Sequence, residues 1–247
     1  MSSPRQSSIC DTFNQYFSVS VATGEQVKEA YRIRYEVYAR ELGWEPPNSE
    51  GLEQDEYDDH AIHCLLQHKR TEAYAGCVRL ISTSLADRVP FEDHCLESVD
   101  TTIIDPPKLQ RGTFGEISRL AVPESFRRRR DERQQPFVIN SSEGQGSEPY
   151  SEEERRNFPN IAMGLYLASI ACVDVLGLDY VFVMMEPRLR RHLVRFGLPF
   201  KQAGVTMDYH GIRALFYLPK GELSSHFSEE MEQLYASIKA QVRPGLV

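Results

Sequence analysis

An almost uninterrupted apolar run over residues 159–175 restricts the fold of this chain more than any other sequence feature. Pro159 is typical of a helix start and Gly177 of a helix end, so the run predicts a single helix. A helix that is apolar on nearly every side must be packed on most sides. The apolar residues 180–185 then predict a buried strand, and residues 187–196 predict an amphipathic helix. This alternation indicates an α/β protein.

The remaining patterns predict one mixed sheet flanked by helices. A capping-box pattern at residues 23–26 precedes an opening helix that ends near Gly43. Strand and hairpin patterns follow at residues 62–67, 74–82, 115–122 and 205–218. After the opening helix, the predicted order is β-β-β-α-β-α-β-β, with an irregular segment before the third strand. This order is that of an α/β fold with a mixed central sheet.

Residues 127–158 differ in composition from the rest of the chain. Arginine, glutamate, glutamine, serine and glycine dominate there, and few apolar side chains are available for burial. The segment is predicted to be mobile, because little burial offsets the cost of ordering it. No linker separates two hydrophobic patterns, so residues 1–247 are predicted to form one domain that carries this insertion.

Composition and charge argue against several classes of protein. The net charge of −8 at pH 7 argues against a nucleic-acid-binding protein, because phosphate contacts depend on lysine and arginine. The five cysteines lack a Cys-x-x-Cys pair, so neither a disulfide framework nor a metal site is expected. The polar start has no secretory pattern, and the uncharged run 161–173 is shorter than the ~20 residues that cross a membrane. We therefore expect a cytoplasmic protein without a membrane span.

Four blocks of sequence carry a resemblance to a known family. In chain order they are RYEVYARELGW at residues 34–44, DEYD at residues 55–58, Arg79, and EISR at residues 116–119. In these blocks the chain resembles the acyl-homoserine-lactone synthases, which transfer an acyl group from acyl carrier protein to the amine of S-adenosylmethionine. The resemblance implies a GNAT-like fold and acyl transfer from a thioester to an amine.

Two later blocks are more similar to another group. SEEERRNFP at residues 151–159 and MEPRLRRHLVRFG at residues 185–197 resemble the long-chain N-acyl amino acid synthases. The likeness is greatest to the acyltransferases that accompany exosortase (PEP-CTERM) protein-sorting systems. The resemblance implies that an amino acid is the amine acceptor. An acyl-homoserine-lactone synthase and a non-catalytic module that binds acyl carrier protein are the alternatives.

A missing motif indicates the acyl donor. Typical GNAT enzymes hold the coenzyme A pyrophosphate on a Gln/Arg-x-x-Gly-x-Gly/Ala loop, and no such loop follows the Glu116 strand. Acyl carrier protein, with acyl-phosphopantetheine as donor, is therefore the predicted partner, and no permanently bound cofactor is expected. Arginines on this acidic chain are candidate docking residues for an acidic carrier, although a solvated charge run is the alternative. These residues are Arg127, Arg128, Arg129, Arg130, Arg188 and Arg191.

Glu116 is the predicted catalytic residue. A carboxylate beside the attacking amine can accept its proton, and the resemblance places Glu116 on the strand where acyl transfer occurs. The alternative is a structural ion pair between Glu116 and Arg119. A bulge between these two residues would turn both side chains toward one cleft, and the GNAT resemblance implies such a break.

The predicted acceptor site draws on residues far apart in sequence. Arg34 lies in the apolar stripe of the opening helix, and a buried arginine needs a carboxylate partner. Asp55 and Asp58 are the candidates, and a purely structural salt bridge is the alternative. With the resemblance, the predicted substrate-binding residues are Arg34, Tyr38, Trp44, Asp55, Asp58, Arg79, Ser118 and Arg119.

Overall fold

A computed structural model describes residues 8–127 and 150–246, and an eight-stranded sheet forms the centre of the fold. The strands are β1 Phe17–Val21, β2 Ala61–His68, β3 Tyr74–Ser82, β4 Phe114–Ala121, β5 Tyr180–Met185, β6 Lys201–Gln202, β7 Met207–Asp208 and β8 Ile212–Pro219. Their order across the sheet is β1-β2-β3-β4-β5-β8-β6, with β7 paired to β8. β4 and β5 pair in parallel, and the other pairs are antiparallel. The predicted α/β class with a mixed sheet is confirmed.

Helices flank this sheet on both faces. The α-helices are α1 Ile9–Tyr16, α2 Val27–Arg34, α3 Pro90–His94, α4 Glu152–Arg156, α5 Pro159–Leu176, α6 Pro187–Arg195 and α7 Glu229–Val242. A π-helical segment, Tyr35–Glu41, continues α2. The predictions for α5, β5 and α6 are correct to within a residue, and α5 ends at Gly177 with φ of +73°.

Side chains that alternate along the central strands build a separate core on each face. Leu66, Val78 and Ile117 point into the larger core, which α5 and α7 cover. Leu65 and Cys77, one position away, pack against α2 on the opposite face. This alternation is the two-residue period of a strand, and it places Glu116 on the face opposite Ile117.

α1, β1 and α7 were not predicted. Each is short or weakly patterned, and tertiary contacts hold them together: Asn14 Nδ2 donates to Ser237 Oγ at 2.9 Å, and the Val19 N–H donates to Gln241 Oε1 at 2.9 Å. Contacts with the opposite end of the chain stabilise these elements, and a local sequence pattern does not report such contacts.

α5 is long and apolar enough to cross a membrane by length and composition, so the expectation that the apolar run is too short is wrong. In the fold, however, 72% of the helix is buried inside the protein. Gly164 shows how closely it packs, because a Cβ there would lie 2.5 Å from the ring of Phe13. The apolar composition of α5 is therefore explained by its position in the core.

The predicted mobile insertion, residues 127–158, is described only at its two ends. Residues 128–149 lie outside the described residues. Residues 150–158 lie against the sheet: Tyr150 packs on Phe126 at a ring-centre distance of 5.0 Å, and Arg70 Nε donates to Glu154 at 2.6 Å. The mobility of the segment stays a prediction.

Candidate active site

The sheet opens between β4 and β5. The two strands pair from Phe114 opposite Tyr180 to Ile117 opposite Val183. They do not pair beyond that point, although β4 continues to Ala121. The diverging ends leave a wedge in the middle of the sheet.

A bulge in β4 lies beside this wedge. The register of β3 and β4 shifts between Cys77 and Arg79, and Arg119 has φ of +53°, a value uncommon for residues other than glycine. A bulge re-aims the side chains of its strand. The extra residue of β4 lies between Ser118 and Ala121, at the far end of the segment where the bulge was predicted. Glu116 and Arg119 both line the cavity in the wedge.

The cavity encloses about 890 Å³, including space open to solvent. Four of its apolar lining residues, Ile117, Val183, Met185 and Leu189, belong to the core under α5. Phe91, also in the lining, belongs to the core on the other face. The cavity therefore reaches both faces of the sheet through the wedge.

Glu116 is a buried carboxyl group in the wall of this cavity, with a relative exposure of 3%. Its Oε2 accepts a hydrogen bond of 2.7 Å from the backbone N–H of Phe91. Burial raises the pKa of Glu116 to about 8, and that hydrogen bond and the charges of Arg79 and Arg119 only partly oppose the rise. A carboxyl group with such a pKa is suited to proton transfer near neutral pH.

Arg119 directs its guanidinium to other carboxylates. Nε donates to Glu53 Oε1 at 3.0 Å, and Nη2 lies 3.0 Å from Asp55 Oδ2. The alternative of an ion pair between Glu116 and Arg119 is therefore wrong. Glu116 forms no ion pair with any residue in the ranges 8–127 and 150–246.

A buried network of arginines and carboxylates lies behind the cavity wall. Arg34 donates to Glu53, and its Nη1 donates to Asp58 Oδ1 at 2.7 Å. Arg79 Nη1 donates to Asp55 at 2.5 Å and to Asp58 at 2.7 Å. Burial alone would raise the pKa of Asp58, but the hydrogen bond from Arg34 and the charges of Arg34 and Arg79 hold it well below its usual range.

The network supports the cavity from outside its lining. The side chains of Arg34 and Asp58 are 0% exposed and that of Arg79 is 1% exposed, and none of them, nor Asp55, lines the cavity. The structure brings these four residues together in one network behind the cavity wall, and their contact with an acceptor stays a prediction. Arg79 Nε instead donates to Ser118 Oγ at 3.1 Å and so positions a residue that does line it.

Tyr38 and Trp44 form an aromatic wall of the cavity. The Trp44 ring stacks on Tyr38 at 5.9 Å and on His210 at 5.3 Å between ring centres. The Tyr38 hydroxyl donates to the carbonyl oxygen of Leu120 at 2.8 Å, which fixes the ring against β4. The π-helical segment carries Tyr38, and such segments are frequent at functional sites.

Sequence reasoning missed several residues of the site. Glu53 lay in the acidic stretch before Asp55 but was not singled out. Phe91 contributes a backbone N–H, which no side-chain pattern reports. Arg213 could have been found, because it is the one charged residue in β8, whose sequence is IRALFYLP. Among the described residues, no group of three or more His, Cys, Asp or Glu residues could hold a metal ion.

The predicted docking arginines divide into three groups. Arg127 is wrong as a docking residue, because its side chain is 1% exposed and forms an ion pair with Glu41. Arg128, Arg129 and Arg130 lie outside the described residues. Arg188 and Arg191 are exposed on α6, as is Arg195.

These three exposed residues of α6 form one charged face, because their spacing of three and four residues places them on the same side of a helix. The pKa of His192 is lowered by partial burial and by the charges of Arg195, Arg188 and Arg191. The buried side of α6 carries Leu189, which lines the cavity. We call Arg188, Arg191 and Arg195 the α6 arginine face.

Part of the chain that forms this site matches a known protein family. Residues 33–134 match the family model of the acetyltransferase (GNAT) domain. The chain contains a GNAT-type domain. The matched part of the GNAT-type domain carries the π-helical segment, the buried network, the bulge and Glu116.

The sequence relatives lie in one group of enzymes. An acyl-homoserine-lactone synthase of Aeromonas salmonicida is 33% identical over 101 residues, which are 40% of this chain and 44% of that enzyme. The alignment thus spans less than half the length of this curated relative. Over that part, the GNAT-type domain is homologous to acyl-homoserine-lactone synthases.

Solved structures share the fold over most of the chain. TofI, in a ternary complex with an inhibitor and MTA, has a TM-score of 0.59 at 16% identity and covers 94% of this chain and 100% of its own. The CoA-dependent acyl-homoserine lactone synthase BjaI, with SAM and isopentyl-CoA, gives 0.56 at 16%, with coverage of 90% and 89%. FeeM, an N-acyl amino acid synthase from uncultured soil microbes, gives 0.54 at 13%, with coverage of 85% and 94%. At these identities the similarity shows the fold alone.

Proposed function

We propose that this chain is an acyltransferase that moves a long-chain fatty acyl group from acyl carrier protein to the amine of an amino acid. One observation carries the proposal: Glu116, a buried carboxyl group with a raised pKa and no ion-pair partner in the described part of the chain, lines the cavity where β4 and β5 diverge. Homology to acyl-homoserine-lactone synthases supports acyl transfer to an amine.

In the proposed reaction the amine nitrogen attacks the thioester carbonyl carbon. The carbon–sulfur bond breaks, and phosphopantetheine leaves as a thiolate. Glu116, in its ionised form, accepts the proton that the amine loses, directly or through one water. Transfer of this proton to the thiolate releases the thiol and restores the ionised carboxylate. Backbone N–H groups at the bulge beside Arg119 are proposed to stabilise the oxyanion, for which one well-placed donor contributes about 3 kcal/mol.

The apolar lining supports a long acyl chain. Ile117, Val183, Met185 and Leu189 extend the cavity from the Glu116 side of the sheet into the core under α5. Each methylene group that is buried there would contribute about 0.8 kcal/mol to binding. A fatty acyl chain fits this lining better than an acetyl group, which would leave most of it uncovered.

The α6 arginine face supports acyl carrier protein as the donor. It is exposed, and it lies on the helix whose buried side contributes Leu189 to the cavity. An acidic carrier that bound this face would be close to the cavity, so its acyl-phosphopantetheine arm could enter the wedge. Acyl-CoA is the alternative donor, and BjaI is described as CoA-dependent.

The proposal includes a cellular location and an association with a protein-sorting system. A cytoplasmic location follows from the donor, because acyl carrier protein works in that compartment. The similarity of residues 151–159 and 185–197 to exosortase-associated acyltransferases supports a role beside such a protein-sorting system.

A second candidate is an acyl-homoserine-lactone synthase that uses S-adenosylmethionine. The identity of 33% to the enzyme of Aeromonas salmonicida favours it. The two candidates share the donor and the role of Glu116, and they differ in the acceptor and in the product.

Mass spectrometry of lipid extracts tests both candidates, because the product identifies both substrates. Cells that overexpress the chain are compared with cells that overexpress Glu116→Gln. N-acyl amino acids in the first extract alone would support the proposal, whereas N-acyl homoserine lactones would support the second candidate. If neither product forms, and purified protein binds acyl carrier protein without turnover, the non-catalytic module is correct.

A further inference from the structure

One positive charge in the cavity wall, that of Arg213, has no hydrogen-bonded or ion-paired partner in the described part of the chain. Arg213 lies near the start of β8, where its backbone pairs with Met207, and its side chain lines the cavity. Its Nε is buried and makes no hydrogen bond. No carboxylate in residues 8–127 or 150–246 forms an ion pair with it, although Glu45 and Glu186 also line the cavity.

Arg119, the other arginine in the lining of the cavity, differs from Arg213 because it is paired with carboxylates. Arg119 already contacts two carboxylates, Glu53 and Asp55, each at 3.0 Å. It therefore has little capacity left for an anionic ligand. Arg213 keeps its whole donor set for a ligand, since guanidinium carries five N–H donors and no acceptor.

The position of Arg213 is held by its neighbours. Its guanidinium carbon lies 5.3 Å from the centre of the Trp44 ring, within the range of a cation–π contact. This contact orients the planar group but satisfies none of its N–H donors. A buried N–H without a partner is costly, so its retention in a cavity wall is explained by a ligand that accepts from it.

Carboxylate is the ligand chemistry that fits best. The planar fork of a guanidinium matches the two oxygens of a carboxylate and binds them with parallel hydrogen bonds. Glu116 and Arg213 line the same cavity, together with the half-buried Tyr209. A molecule with a carboxylate at Arg213 and an amine near Glu116 would thus fit between them.

We infer that Arg213 binds the α-carboxylate of the acceptor and so selects amino acids over simple amines. The inference rests on the proposed function for the identity of the acceptor. It assigns Arg213 a role in specificity, separate from the proton transfer at Glu116.

The test measures binding without turnover. Trp44 is the only tryptophan of the chain and lies against Arg213, so its fluorescence reports ligands in the cavity. The two probes are N-dodecanoyl-glycine and N-methyldodecanamide, which differ only in the carboxylate. The wild-type protein is expected to bind the acid about 10- to 100-fold more tightly, as for the loss of a charge-assisted pair of hydrogen bonds. Arg213→Met should bind the two probes equally, and Arg213→Lys should keep part of the preference.

Controls separate the possible failures. Arg32→Met, on the exposed side of α2, should retain the wild-type preference, and circular dichroism checks that each variant is folded. If Arg213→Met retains the preference for the acid, the inference is wrong, even if the chain acylates amino acids. If the preference depends on Arg213 but no acceptor is acylated, the carboxylate site stands and the proposed function fails. If 4′-phosphopantetheine, rather than N-dodecanoyl-glycine, loses affinity in Arg213→Met, Arg213 binds the donor and the inference is overturned.

Discussion

Glu116 and Phe91 are joined by a hydrogen bond of 2.7 Å between a side-chain oxygen and a backbone N–H. It ties the cavity wall of β4 to α3 and occupies Oε2. Oε1 has no hydrogen-bond donor among the described residues, so it is available to a ligand. The bond thus orients a carboxyl group that burial keeps largely protonated at neutral pH.

We expect Glu116→Gln to lower the turnover number by about 10²-fold or more, because glutamine cannot accept a proton from the amine. The amide oxygen can still accept from Phe91, so the fold should be retained. Initial rates at saturating donor and acceptor measure the effect, and Glu97→Gln, an exposed change near α3, is the matched control. An unchanged turnover number would remove Glu116 from the mechanism.

The activity of the wild-type protein should depend on the ionisation of Glu116. Its pKa is raised to about 8, mainly by burial, so the fraction able to accept a proton grows as pH rises through that value. The acceptor amine titrates as well, but equally for both proteins. The ratio of wild-type to Glu116→Gln activity should therefore rise between pH 6 and pH 9. A ratio independent of pH would contradict a general base with this pKa.

The same pKa shift predicts a change in stability. A carboxyl group whose pKa is higher in the folded state stabilises the fold below its unfolded pKa, and this contribution is lost as pH rises through the folded value of about 8. Each pKa unit corresponds to about 1.4 kcal/mol. Glu116→Gln should therefore gain stability relative to the wild-type protein between pH 5 and pH 9. Urea unfolding at both pH values checks the sign, and an equal difference at both would contradict it.

We expect Arg34→Ala to destabilise the protein by about 3–5 kcal/mol, because only Arg79 and Arg119 would then balance the three carboxylates of Glu53, Asp55 and Asp58. Arg119→Ala should cost less stability, since its side chain is 24% exposed, but should also reduce activity. Arg32→Ala, on the exposed side of the same helix as Arg34, is the control. Normal melting and normal activity in both network variants would refute the supporting role.

We expect acyl carrier protein to be a much better donor than the equivalent acyl-CoA. Charge attraction to the α6 arginine face is screened by salt, with a Debye length of about 8 Å at physiological ionic strength. The carrier-dependent kcat/KM should fall with added salt and when Arg188, Arg191 and Arg195 are changed to serine. Acyl-CoA turnover should be low and change little. Arg156→Ser, exposed on α4, is the control, and equal use of both donors would contradict the prediction.

Local sequence patterns correctly predicted several helices and strands, and the family resemblance predicted features of the site. Pro159 and Gly177 predicted the two ends of α5, and the periodicity of apolar residues predicted the bounds of β5 and α6. The resemblance implied a bulge between Glu116 and Arg119, and the register shift lies just beyond, between Ser118 and Ala121. Sequence patterns did not predict α1, β1 and α7, because contacts between residues more than 200 positions apart, such as Asn14 and Ser237, hold these elements together.

The sequence by itself determined the fold class and the central helix and strands, through periodicity and turn residues. The resemblance of its motifs to a known family implied the placement of a carboxylate beside a strand break. Only the tertiary structure decided which carboxylate meets which arginine. Arg119 pairs with Glu53 and Asp55 rather than with Glu116, and burial raises the pKa of Glu116. The Nε of Arg213 is buried without a hydrogen-bond partner among the described residues. Those outcomes depend on how the loop before β2 packs against the bulge, and an ion pair between distant residues leaves no periodic signal in the chain.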